Sequence, residues 1–241
     1  MYLERYTMDG FKAISERVDT VIIPVGSTEA HGYHLPLGTD MLVPRELLRR
    51  LELAYGDNVW IAPEVAYSPC FTLPEFPGTV NIPSDVLADY LFHIGANLYK
   101  HGMRKIVFLN GHGENHTALN LAGEKLSELG AYIWNSNPFN DFAGDFNHVL
   151  ESRFGSHANE CETALLMACD ETLAHMDKVV VNMKKVLMGV RYKDRYLDFI
   201  PEAVHGDGTK ATKEKGDKIL DYMVKGLVRQ LESLESGRYN D

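Results

Sequence analysis

Short, uniformly apolar runs alternate with longer stretches of helical spacing along the whole chain. Residues 20–25 (TVIIPV) predict a buried strand, with Pro24 marking its end or an irregular edge. Residues 40–55 place Leu42, Val43, Leu47, Leu48, Leu51 and Ala54 at helical intervals, and 58–62 predict a second short strand. Ser84 reads as the N-cap of a helix reaching His101, with Val86, Leu87, Tyr90, Leu91, Ile94 and Leu98 on its apolar side. Residues 105–109 (KIVFL) are continuously apolar between polar ends, the pattern of a strand buried on both faces. A helix over 115–129 stopped by Gly130, a strand over 131–134, a helix over 160–169 and a long amphipathic helix over 213–234 follow. Strand and helix alternating in this way predict an α/β fold with a largely parallel sheet. No repeat, low-complexity tract or linker divides the chain, so a single domain over 1–241 is expected.

The composition narrows the class. The chain has 241 residues, 45% of them hydrophobic, long enough to bury a core of its own without staples. Cys70, Cys161 and Cys169 are scattered and odd in number, which argues against a disulfide framework and suits a reducing cytoplasm. A formal charge of −10 disfavours nucleic-acid binding, which is built on an excess of Lys and Arg. No apolar run approaches the ~20 residues of a membrane span, and the opening MYLERYTMDG lacks a signal-peptide core. A cytoplasmic protein with no membrane partner is expected.

Candidate chemistry concentrates where open α/β sheets bind ligands, just beyond the carboxyl ends of strands. After the first strand, residues 26–40 carry Glu29, His31, His34 and Asp40. After the strand ending at Leu109, residues 110–116 carry His112, Glu114 and His116. A third cluster offers His157, Glu160 and Glu162. One His near a strand end is ordinarily a hydrogen-bonded core or surface residue, and acids at helix starts can simply favour the helix dipole. Two loops that each combine His with carboxylate at a spacing of two are harder to explain that way. In Glu29-Ala-His31 and His112-Gly-Glu114 an extended chain points both side chains to one side. Imidazole with carboxylate suits zinc, manganese or iron rather than calcium. The spacing of His112 and His116 is not that of a zinc-protease helix, because Gly113 stands where that motif needs Glu. No nucleophile elbow, phosphate loop or dinucleotide fingerprint is present, and Cys70 reads as a small buried thiol rather than a nucleophile.

The blocks GSTEAHGYHLPLGTD (26–40), FPGTV (76–80), LNGHGEN (109–115) and HANECET (157–163) resemble the creatininase (creatinine amidohydrolase) family of metal-dependent hydrolases in order and separation. The resemblance implies a three-layer sandwich with a central, largely parallel sheet flanked by helices. It also implies a homo-oligomer, often a hexamer, with two divalent metal ions per subunit. Carried over by position, Glu29, Asp40 and His112 would hold one ion and His31, Asp40 and Glu114 the other, with Asp40 bridging. His157 matches the active-site histidine, expected to donate a proton, and Glu162 a glutamate lining or supporting the site. The implied reaction is attack of metal-activated water on the carbonyl of a small molecule.

The sequence departs from the family around the substrate. Tyr67-Ser-Pro-Cys70-Phe-Thr72-Leu73 replaces the loop of many members, and Gly113 stands where the creatinine enzyme has an aromatic residue. Arg153 and Phe154 fall where that enzyme has Trp and Asp. Cys70, Thr72, Gly113 and Arg153 are therefore the candidate substrate contacts. The expected function is hydrolysis of a small cyclic amide or formamide other than creatinine. The alternatives are hydrolysis of a carbon–carbon bond in a cyclic diketone such as an oxidised inositol, and a non-catalytic metal-binding maturation protein.

Overall fold

The computed structural model describes residues 1–152, 155–184 and 200–237. Four parallel strands form the sheet: β1 (Thr20–Val25), β2 (Trp60–Ile61), β3 (Lys105–Asn110) and β4 (Tyr132–Ser136), in the order β2-β1-β3-β4. Helices α1 (Met8–Ser15), α2 (Thr39–Tyr55), α3 (Ser84–Lys100) and α4 (His116–Glu128) alternate with them. Two one-turn helices, α5 (Pro138–Asp141) and α6 (Ala143–Phe146), precede α7 (Glu160–Asp170) and the long α8 (Lys213–Ser236).

Alternate residues of the central strands point into two separate cores. Ile22, Val107 and Leu109 pack with α2, α7 and α8 on one face. Val21, Ile23, Val25, Ile106 and Phe108 pack with α3 and α4 on the other. This is why 20–25 and 105–109 read as continuous apolar runs: both faces of the sheet are covered. The three-layer sandwich expected from the resemblance is present. Among the described residues no helix is long and apolar enough to cross a membrane.

Three details differ from the expectations above. Pro24 lies inside β1, a strand with neighbours on both sides, yet β2 has ended at Ile61 before reaching it. Its carbonyl accepts from the Val65 N–H (2.9 Å), so its missing N–H faces a loop and interrupts no ladder. Ser84 is the first residue of α3 rather than its cap, and Pro83 occupies the cap position. Helix α4 starts at His116, because Gly113–Asn115 form a 3₁₀ turn first.

The order β2-β1-β3-β4 means that the chain leaves β1 toward one sheet edge and later returns to β3 on β1's other side. The carboxyl ends of β1 and β3 are thus a topological switch point, where open α/β sheets bind ligands.

Candidate metal centre

Two glycines set the geometry of this crevice. Gly26 follows β1 and Gly111 follows β3, and a Cβ on either would collide with the main-chain carbonyl of Asp40. The first turn of α2 is thereby drawn between the two strand ends. Asn115, fully buried, donates from Nδ2 toward the Val25 and Gly26 carbonyls (3.3 and 3.2 Å) and the Asn110 side-chain oxygen (3.1 Å). Asn110 Oδ1 also accepts the His112 N–H (3.1 Å), tying both loops together. Nothing in the sequence pattern singles out Asn110 and Asn115, although both stand in the LNGHGEN block; an amide is easily passed over beside histidine and glutamate.

Asp40 occupies the centre of the cluster. Its Oδ1 is 3.1 Å from His31 Nε2 and its Oδ2 is 3.1 Å from His112 Nδ1. Glu29 Oε1 lies 3.3 Å from His112 Nδ1 and 3.6 Å from His157 Nδ1. The outer nitrogens of two of these rings are anchored. His31 Nδ1 donates to the Glu29 carbonyl (3.2 Å) and His112 Nε2 to the Pro69 carbonyl (2.8 Å), turning His31 Nε2 and His112 Nδ1 inward. Apart from these ion-pair contacts, both Glu29 oxygens, Asp40 Oδ2 and His31 Nε2 are buried with no hydrogen-bond partner. Buried groups of this kind are costly unless something pairs with them.

The electrostatics call for positive charge. Burial alone would lower the pKa of His31, but the Asp40 carboxylate beside it reverses the effect and pushes it up to about 10. Burial is likewise overcome at His112, held well above its ordinary value by Glu29 and Asp40. Asp40 is in turn held below the usual carboxylate range by the two imidazoles, against its burial. Such a cluster stabilises any cation brought to it.

Two sets of donor atoms each lie within 4.8 Å of one another and share the cluster: Glu29, Cys70 and His112, and His31, Asp40 and Glu162. A third set joins Glu29, His31 and His157. Glu29, His31, Asp40 and His112 therefore converge as expected, although they come from two loops far apart in sequence. Glu114 does not join them. Its Oε2 accepts the Phe71 N–H and its Oε1 the Thr72 hydroxyl, both at 2.6 Å, so both oxygens are engaged by the 70–73 loop and the carboxylate enters none of the donor sets. The carboxylate that completes the His31 and Asp40 set is Glu162, and burial raises its pKa to about 7.

Helix α7 delivers Glu162. Asn159 caps the helix by accepting the Glu162 N–H (3.0 Å), and Glu162 Oε2 accepts the Ala158 N–H (2.5 Å). Ala158, at φ 51, makes the tight left-handed step between His157 and the helix. The His157 backbone pairs with His205, whose ring meets the Ser156 hydroxyl (2.7 Å), so His205 is a positioning residue that no sequence motif announces. His157 packs on the His31 ring with centroids 4.3 Å apart, and its Nε2 donates to the Ala30 carbonyl (2.8 Å). Burial, and then the charge on His31, lower its pKa to about 4.

The other sequence candidates separate cleanly. Cys70 is fully buried with its Sγ 2.7 Å from Ser27 Oγ, and burial raises its pKa. Thr72 holds Glu114. Gly113 is exposed beside open space. Arg153 and Phe154 lie outside the described residues. Glu160 is structural: it accepts the Glu151 and Ser152 N–H groups and pairs with Lys215 (2.5 Å), fastening α7 to α8. His34 is buried against Thr163 (3.1 Å), and His116 sits at the start of α4 against Asn120 (3.0 Å). A cleft of about 990 Å³ opens on the cluster, with His112, Gly113 and Glu162 on one side. Asn137, Asn140, Asn147 and His148 line the other.

A family model described as creatinine amidohydrolase matches residues 4–231. The chain belongs to the creatininase family. It is a metal-dependent hydrolase. The 3-dehydro-scyllo-inosose hydrolase of Thermotoga maritima is 26% identical, over 96% of this chain and 83% of its own length. The mycofactocin precursor peptide peptidase of Mycolicibacterium smegmatis is 30% identical, over 94% and 90%. A manganese form of creatininase superposes with a TM-score of 0.85 at 23% identity, covering 96% of this chain and 97% of that one. Within this family, then, proteins of similar fold are named for different substrates.

Proposed function

We propose that the chain is a dinuclear-metal amidohydrolase acting on a small cyclic amide or formamide. The observation that carries this reading is Asp40 standing 3.1 Å from both His31 and His112, with Glu29 beside His112 (3.3 Å) and Glu162 in one donor set with His31 and Asp40. One ion would be held by Glu29, Asp40 and His112 and the other by His31, Asp40 and Glu162. Zinc, manganese and iron all accept this mixture of imidazole and carboxylate, and the family's solved structures include manganese and zinc–zinc forms. Such a pair polarises a carbonyl and lowers the pKa of water from ~15.7 toward ~7.

The chain's own residues supply positioning and protons. In this reading the amide-rich cleft holds the substrate, because Asn137, Asn140 and Asn147 can pair with both its carbonyl and its N–H groups. A departing nitrogen requires a proton. Glu114 is suited to donate it, since burial raises its pKa, and Phe71 and Thr72 hold its oxygens beside the cluster without spending it as a ligand. His157, held neutral and hydrogen-bonded to the Ala30 carbonyl, is read as orienting the reacting group beside His31 and Glu29. The enzyme is read as a cytoplasmic homo-oligomer, hexameric by family resemblance.

The peptidase and creatinine relatives are named for C–N cleavage, and among these relatives the inosose hydrolase alone supports the diketone alternative, which it does not lift over the amide reading. The test is turnover by metal-loaded protein across cyclic amides, formamides and cyclic diketones. Amide or formamide turnover that chelation abolishes and metal restores is expected. Turnover of diketones alone would overturn the proposal.

A further inference from the structure

We infer that Cys70 is a ligand of the Glu29 half of the centre, giving that half a sulfur donor and a preference for zinc over manganese. The inference rests on the metal-centre reading above and adds a residue to it. Cys70 is fully buried, and its Sγ lies within 4.8 Å of the donor atoms of Glu29 and His112. Glu29, only 1% exposed, lies with Oε1 3.3 Å from His112 Nδ1, and its Oε2 is buried with no hydrogen-bond partner. Asp40 Oδ2 stands 3.1 Å from the same His112 Nδ1. Among the described residues, Cys70 is the one cysteine within such a donor set.

The surroundings of the sulfur suit coordination. Ser27 Oγ is 2.7 Å from Sγ, so the hydroxyl can donate to a thiolate. The Cys70 N–H is fixed by the Asn81 side chain (2.8 Å), and the neighbouring Pro69 carbonyl holds the His112 ring. One short loop thus supplies the sulfur and also aims the imidazole beside it. When the ion binds, the thiol proton leaves to solvent and the sulfur–metal bond replaces it.

The two halves then differ in character. Glu29, Asp40, His112 and Cys70 provide four protein donors, the number that closes a zinc site. His31, Asp40 and Glu162 provide three, the number that leaves a position for substrate, and Glu162 lines the cleft. Soft sulfur selects zinc over the oxygen-preferring manganese in the first half.

Zinc X-ray absorption on the zinc-loaded full chain, with Cys169→Ser as a control, reads the sulfur directly. A sulfur shell at ~2.3 Å is expected in both proteins, beside the nitrogen and oxygen shell at ~2.0–2.2 Å. Cys70→Ser should lose that shell, and its preference for zinc over manganese should fall, because the soft donor that favours zinc is gone. Zinc bound with nitrogen and oxygen neighbours alone would overturn the role of Cys70 and leave the metal centre standing. No stoichiometric zinc in the wild-type chain would overturn both. The wild-type spectrum decides even if Cys70→Ser fails to fold.

Discussion

Glu114 and Glu162 are both acids of a family block, and what separates them is the company their oxygens keep. Glu114 is held by the Phe71 N–H and the Thr72 hydroxyl, whereas Glu162 stands with His31 and Asp40. Glu162→Gln is therefore expected to lose one of two ions. Glu114→Gln should keep both and lose turnover by roughly 10²–10⁴, the range for a general acid or base. Elemental analysis alongside kcat measures this, and equal metal content in the two variants would refute the distinction. Glu29, His31, Asp40 and His112 were legible in the sequence because His and carboxylate alternate within short loops after apolar runs. The position of Glu162 beside His31 and Asp40, and the tethering of Glu114, were not, since the latter depends on a backbone N–H and a hydroxyl from the distant 70–73 loop. His205 was hidden for a similar reason: its part is to pair its backbone with that of His157.

The elements place these residues through close approach. Helix α2 brings Asp40 between the two strand ends because Gly26 and Gly111 leave room for its carbonyl. Gly111→Ala should push that turn outward, costing about 1–3 kcal/mol as overpacking does and weakening metal binding with it. Urea unfolding and metal titration check both effects, and wild-type metal affinity in a folded Gly111→Ala protein would contradict the account. The helices and the two central strands were readable from periodicity, since burial on one helical face or on both sheet faces leaves a direct pattern. The edges were less so. β2 shrinks to Trp60–Ile61 because the following residues leave the ladder, bonding to β1 singly through Ala62 and Val65. The same departure lets Pro24 sit inside β1.

At the scale of the molecule, the sandwich carries the candidate metal centre at its switch point and a wide, amide-lined cleft beside it. Creatinine is expected to be a poor match for that cleft. Gly113 is exposed beside open space where the creatinine enzyme has an aromatic wall, and stacking on such a wall is worth ~1 kcal/mol. With creatinine, kcat/KM is expected below ~10⁴ M⁻¹s⁻¹, the low end of ordinary enzymes. Steady-state kinetics on metal-loaded protein decides it, and a higher value would refute the claim. The cleft itself was not visible in the sequence, because α5, α6 and the 147–152 segment that form its far side carry no periodic pattern. Asp40 is the carboxylate that both halves of the centre share, so the decisive measurement is metal stoichiometry by equilibrium dialysis and elemental analysis. The wild-type chain should bind two divalent ions, the complement of a two-metal site, and Asp40→Asn should lose both at the same free-metal concentration while remaining folded. A wild-type chain that binds fewer than two, or an Asp40→Asn protein that binds as many, would contradict it.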